Sequence, residues 1–137
     1  MDKAGIFKFI SKQKTSFIAS VDENGYPVVR AVCAPRKIDG NEIYFSTNTS
    51  SKKVRQFLAN GKACLYFYKR GKIKYQGVSL KGEMEVCTDQ ETKDGIWRFG
   101  DKLFYKKGVT DPDYCVLKFK GVSAEYYCDL KIEKTDL

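Results

Sequence analysis

The chain contains no histidine. That absence excludes Ser-His and Cys-His nucleophilic pairs and every histidine-ligated metal site. An enzyme built from this sequence must draw on carboxylates, lysines or an organic cofactor. No apolar run approaches the ~20 residues that a membrane span needs. The first residues, MDKAGIFKFISKQ, carry charges among their apolar positions and so lack the apolar centre of a secretory leader. The expected location is the cytoplasm. No two cysteines form a C-x-x-C pair: Cys33, Cys64, Cys87, Cys115 and Cys128 are odd in number and widely spaced. They read as buried thiols inside apolar runs, not as a disulfide framework or a metal site.

What the sequence does have is one domain's worth of apolar residues and an excess of positive charge. Over 137 residues, 42% are hydrophobic and 14% aromatic, enough for a packed core and one domain, residues 1–137. The formal net charge is +8, a field that attracts phosphates, nucleic acid or anionic membrane without choosing among them.

The stretch EIYFSTNTSSKKVRQFLANG, residues 42–61, concentrates the signal. It begins with strand alternation, breaks into hydroxyl and amide residues from Ser46 to Ser51, and resumes as a helix. Val54, Phe57 and Leu58 carry its apolar face, Thr49 or Ser50 is the expected N-cap, and Gly61 the stop. Lys52 and Lys53 then fall at the positive end of the helix dipole, where lysine is unfavourable. Free N–H groups, hydroxyls and two ammoniums in one place suit a phosphate monoester. Solvated lysines on a basic protein are the bland alternative.

The other elements follow from periodicity. Residues 2–13 form an amphipathic helix through Ile6, Phe9 and Ile10. Residues 15–21 and 27–38 form strands around an Asn24-Gly25 turn, with Pro35 marking an edge, a bulge or the end of pairing. Asp39-Gly40 turns the chain into the strand at 42, a turn expected to bring Arg30 beside Ser46 and Thr47. Strands follow at 63–69 and 72–87, with Gly77 and Gly82 as candidate bulges. A short helix spans 89–99, and a polar segment spans 100–114. Two last strands meet at Gly121, and a frayed tail follows Asp129. Short-looped antiparallel strands of this number argue for a β-barrel with helices at its openings.

The segments NGYPVVRAV, IYFSTNTSSKKVRQFLANGKACLYFY, SLKGEMEV and DPDYCVLKFKGVSAEYYCD resemble the pyridoxamine 5′-phosphate oxidase-like flavoproteins, nearest the short general-stress-protein branch. The resemblance runs from about Thr15 to Asp129. It implies an antiparallel split β-barrel of six to seven strands with flanking helices, forming a homodimer with FMN at the subunit interface. Arg30, Lys52 and Lys53 would hold the FMN phosphate, assisted by Thr47 and Ser51. The strand from Arg30 through Ala31 and Val32 to Cys33, with Ser46, would line the isoalloxazine and ribityl chain. Gln76 would reach the flavin from the other subunit, and Trp97 or Phe99 would cover the ring. Other members bind F420, haem or bilin, which places FMN first among several cofactors. The function implied is an FMN-dependent oxidoreductase acting on a small molecule.

The biosynthetic oxidase carries further arginine and histidine groups at its C-terminus that this sequence lacks, so vitamin B6 oxidase activity is not expected. Tyr44, Tyr66 and Tyr75 all stay open as proton donors. A flavin protein without turnover is one competing reading. The other is a basic barrel that stacks single-stranded nucleic acid on LYFYKRGKIKY.

Overall fold

A computed structural model describes residues 1–137. Eight strands form one antiparallel sheet: β1 (Thr15–Val21), β2 (Pro27–Cys33), β3 (Lys37–Asp39), β4 (Glu42–Asn48), β5 (Lys62–Arg70), β6 (Tyr75–Cys87), β7 (Tyr114–Cys128) and β8 (Lys131–Asp136). Their order is β2-β1-β5-β6-β7-β4-β3, with β8 added alongside β7. β2 and β3 lie at opposite ends of that order, yet only residues 34–36 join them. Seven flat strands would set the end strands about 29 Å apart, whereas four Cα steps reach only about 15 Å. The sheet must therefore curl until its ends meet, and the result is a split barrel.

Alternation fills it. Along β1 the buried side chains are Ser16, Ile18 and Ser20, and along β4 they are Ile43, Phe45 and Thr47. Helix α1 (Lys3–Ser11) lays Ile6, Phe9 and Ile10 on this core, capped by Asp2. Helix α3 (Gln90–Ile96) begins at the cap Asp89 and packs Ile96 into a smaller cluster with Cys87, Tyr114 and Val116.

Helix α2 (Lys52–Ala59) departs from expectation at both ends. Its N-cap is Ser51, not Thr49 or Ser50, because the loop before it is tied to the start of β7. There Thr49 Oγ1 donates to Pro112 O at 3.0 Å, and the Ser50 N–H donates to Asp113 Oδ1 at 2.9 Å. The helix ends at Ala59, and Asn60, not a left-handed glycine, closes it. Its buried face is Val54, Gln56 and Phe57, while Leu58 is 70% exposed. A helix turns about 100° per residue. Burying Gln56 rotates the inward face away from Leu58.

The last two expected strands are one. β7 runs unbroken for 15 residues, and Gly121 sits at a bulge, not a turn. Lys81 pairs with Ser123 and Gly82 with Gly121, which leaves Val122 as the extra residue. Gly82 is needed there: a Cβ would lie 2.1 Å from Lys120 O. Gly77, the other expected bulge, is in regular register with Tyr68 and Tyr127. The tail is not frayed. Asp129 and Leu130, at φ 51° and 66°, make the tight turn into β8. The expected strand at 27–38 is broken at Ala34–Arg36, next to Pro35. Only Cys87 and Cys115 are buried thiols; Cys33 is exposed, and Cys64 and Cys128 are half-buried. No helix is long and apolar enough to cross a membrane.

Candidate functional site

β2 is paired on one side only, to β1, with Arg30 opposite Ile18. It does not pair with β4, so the expected ladder between Arg30 and Ser46–Thr47 is absent. Nor does Arg30 line the cleft that holds Ser46 and Thr47; its neighbours are Ile18 and Gln56. Arg30 and Val32 turn inward, and Ala31 and Cys33 face out. The guanidinium donates to Ile18 O at 3.3 Å and to Gln56 Oε1 at 3.1 Å. Ser20 Oγ donates to that same Gln56 oxygen at 2.5 Å. Gln56 is thus the post that holds Arg30 against α2, and burial pulls the Arg30 pKa down.

Lys53 lies half-buried close by. Its pKa is lowered by burial first and by Arg30 second, against a smaller opposing effect of Cys115. Neither Arg30 nor Lys53 has a carboxylate partner in any ion pair of the structure. Each is partly desolvated without a carboxylate beside it, and Arg30 is near enough to disfavour the charged form of Lys53, although only Lys53 lines the cleft. The backbone N–H groups of Lys52 and Lys53 have no protein acceptor, and Ser51 Oγ takes only the Val54 N–H, at 3.4 Å. Val32, Cys33, Ser46, Thr47 and Lys53 line one cleft of about 50 Å³. About 10–15 Å³ of such space holds one water, so this notch takes a group of a few heavy atoms, such as a phosphate.

Not every expected residue joins. Lys52 and Lys53 are neighbours on a helix and point apart. Lys52 lines a separate cleft of about 490 Å³ with Arg55, Gln56, Asp22 and Glu23. Thr49 and Ser50, counted among the available hydroxyls, are engaged with the Pro112–Asp113 turn and with Asn48. Gln76 lies at another end of the barrel, where its Nε2 donates to the Tyr126 hydroxyl at 2.5 Å. Trp97 packs edge-on against Tyr114, ring centres 5.0 Å apart, while Phe99 stands fully in solvent. Of the three open tyrosines, Tyr66 is pushed up to about 12 by burial and by its 2.8 Å bond to the Tyr75 hydroxyl. Burial also raises Tyr44.

Sequence reasoning missed Arg36, which lines the same cleft. Its guanidinium grips Asp101 through two bonds, at 2.8 and 2.7 Å. That pair fastens the segment after α3 to the junction of β2 and β3. Gln56 and Asp113 were also missed; only the turn-like composition of DPD hinted at the latter.

Fold and site together define a split-barrel protein with an unneutralised cationic notch at a helix start. The chain belongs to the pyridoxamine 5′-phosphate oxidase family, whose profile matches residues 3–128. Among solved structures it is similar to a Clostridium acetobutylicum protein related to general stress protein 26 of B. subtilis. The identity there is 31% and the TM-score 0.83, over 100% of this chain and 97% of that one. It also shares its fold with a Nostoc punctiforme protein described as pyridoxamine 5′-phosphate oxidase-related and FMN binding. That match has 15% identity and a TM-score of 0.73, and covers 98% and 93% of the two chains. A curated pyridoxine/pyridoxamine 5′-phosphate oxidase of Agrobacterium fabrum is 38% identical over 74 residues, which is 54% of this chain and 34% of that protein. The match thus takes in about a third of the length of that curated relative.

Proposed function

We propose that this protein is a homodimeric, cytoplasmic FMN-binding flavoprotein that acts as an oxidoreductase on a small molecule. The observation that supports it most is the nearness of Arg30 and Lys53, both without a carboxylate partner, beside the free N–H groups at the start of α2. A dianionic phosphate fits that donor set in charge, size and hydrogen-bonding capacity.

In this reading Arg30 and Lys53 clamp the phosphate and Gln56 aims the guanidinium. Thr47 and Ser51 assist at the phosphate, and Ser46 flanks the ribityl chain. Ala31 and Cys33 present the outer face of β2 to the isoalloxazine. Lys52 contributes charge at longer range. Bound FMN would supply hydride or single-electron chemistry, and the chain's part is to bind it, orient it and limit its access to water. Val29, 68% exposed beside Ala31 and Cys33, gives β2 an apolar outer face that suits a second copy. In that dimer Gln76 and the Trp97–Phe99 segment would approach the flavin from the partner side.

The test is a visible absorption spectrum of the purified protein, before and after incubation with FMN and desalting, combined with its mass in solution. Flavin bands retained at one per chain on a dimer support the reading. FMN that washes through sinks it, and F420, haem and single-stranded nucleic acid then become the ligands to try.

A further inference from the structure

The loop in front of the cationic notch is short and is pinned by distant chain. Only Thr49, Ser50 and Ser51 join β4 to α2. The direction in which α2 presents its first N–H groups therefore depends on how those three residues are held. Ser51 is held locally: its N–H donates to Asn48 O at 3.1 Å, and its Oγ caps Val54. The other two are held by a turn 63 residues away in sequence. The Thr49 N–H donates to Asp113 O at 2.7 Å, and Thr49 Oγ1 donates to Pro112 O at 3.0 Å. The Ser50 N–H donates to Asp113 Oδ1 at 2.9 Å. Asp113 thus takes two of the loop's three N–H groups, one through its backbone and one through its side chain.

That turn is itself rigid. Asp111 Oδ1 accepts the Asp113 N–H at 2.9 Å, and Asp111 Oδ2 accepts the Lys107 N–H at 3.2 Å. These bonds, the one from Asp113 first, hold the Asp111 carboxyl below its ordinary value of 3.8. Pro112, between the two aspartates, has a fixed φ. The Asp111 carbonyl accepts from the Tyr114 N–H at 3.0 Å and from Lys93 Nζ at 3.0 Å. Lys93 is buried, has no carboxylate partner, and sits 5.3 Å from the centre of the Tyr114 ring. A buried cation spent on one carbonyl bolts the turn to α3. The Asp113 carboxylate is in no ion pair with Lys53 or any other cation, so it leaves the notch unneutralised.

We propose that Asp113 is a positioning residue of the anion notch. Acting through Ser50 and Thr49, it sets the angle at which the N–H groups of Lys52 and Lys53 and the Lys53 ammonium meet a phosphate. The role rests on the reading that the phosphate of FMN occupies the notch. A site performs only as well as the shell that supports it. A loop freed from Asp113 spends part of its time in other orientations, and affinity falls by the fraction that is not competent to bind.

Fluorescence titration of the full-length protein with FMN, and with riboflavin as the flavin that lacks the phosphate, tests this. Asp113→Ala should weaken FMN roughly fivefold, the scale of one exposed charge-assisted hydrogen bond, and leave riboflavin unchanged. Asp113→Asn keeps an oxygen acceptor in the same place and should bind FMN like the parent. Asp113 is exposed, and circular dichroism checks that each variant is folded. Equal losses for the two flavins would overturn the proposal, because they would show a general loosening of the fold. It would also be overturned by an Asp113→Ala variant that binds FMN like the parent, or by an Asp113→Asn variant that loses as much. A parent that binds neither flavin would sink the FMN reading separately, and inorganic phosphate followed by phosphorus NMR then becomes the probe. The same ranking of the three proteins would support the positioning role, and equal affinities would overturn it.

Discussion

Arg36 and Asp101 lie 65 residues apart in sequence and meet in a two-bond ion pair, at 2.8 and 2.7 Å, with both side chains largely buried. The pair joins the three-residue link that closes the barrel to the segment that carries Trp97 and Phe99. Asp101 also accepts the Arg98 N–H, at 2.8 Å. Arg98 Nη2 donates back to Arg36 O at 3.1 Å, so the segment after α3 is tied at several points to the link whose Arg36 lines the cleft at Lys53.

Breaking that pair leaves a buried guanidinium uncompensated. Asp101→Asn is expected to destabilise the protein by about 3–5 kcal/mol, and an Arg36→Met/Asp101→Leu variant by clearly less. Thermal melts of the two variants check the order; equal melting temperatures would show that the pair adds nothing beyond packing.

The same pair sets an acid limit. The hydrogen bonds from Arg36, with smaller help from Arg98, hold the Asp101 carboxyl below its ordinary value of 3.8, against the opposing effect of burial. A depressed carboxylate stabilises the fold above its unfolded pKa, and that stability is lost as pH falls through the folded value. Denaturant titrations below pH 3.8 should show a stability loss in the parent that Asp101→Asn lacks.

Lysines 52 and 53 should behave differently although they are adjacent. Lys53→Ala or Arg30→Ala is expected to lower FMN affinity by about 1.5–3 kcal/mol, roughly ten- to a hundredfold. Lys52→Ala, whose side chain lines the neighbouring cleft with Asp22 and Glu23, should cost threefold or so at most, the scale of an exposed charge. Fluorescence titration of FMN against the three variants reads this directly; equal losses at 52 and 53 would contradict the divergence of the two side chains.

Affinity for FMN should also fall toward alkaline pH. Burial and Arg30 hold the Lys53 pKa below 10.5 in the unliganded protein. A bound phosphate favours the protonated amine. Binding therefore weakens as pH rises through the lowered pKa, and levels off once Lys53 is neutral. Titrations from neutrality to pH 10.5 should show this decline in the parent and not in Lys53→Met.

Two glycines give opposite results on substitution. Gly82→Ala drives a methyl into Lys120 O at 2.1 Å and the Phe119 ring at 2.7 Å, across backbone that cannot yield without opening the bulge. A loss of about 3 kcal/mol is expected, at the upper end of overpacking costs. Gly95, inside α3, has nothing within 4 Å of the added carbon, so Gly95→Ala should stabilise by roughly 0.5–1 kcal/mol. Chemical denaturation of both variants tests the contrast.

Much of this was legible from residues alone. The 3.6-residue spacing of Ile6, Phe9 and Ile10, the alternation in β1 and β4, and the turn at Asn24-Gly25 each carry their structure locally. Cations at the start of a helix flagged the notch before any contact was known. The errors lie where a residue's surroundings are set by distant chain. Ser51 caps α2 because Asp113 and Pro112 take Ser50 and Thr49. Leu58 is exposed because Gln56 is recruited inward by Ser20 and Arg30. β8 was unreadable because its turn uses Asp129 and Leu130, a pair that carries no strong turn signal.

The sequence by itself determined most of the element types, the antiparallel β architecture and the excess of cations. Those follow from side-chain periodicity and charge, which act over a few residues. Tertiary structure alone decided which cations meet. Arg30 and Lys53 come together because the sheet must curl to satisfy a three-residue link between its end strands, and Lys52 is left out because one step along a helix is a turn of about 100°. Closure and helix rotation are properties of the whole fold, so no local pattern could announce them.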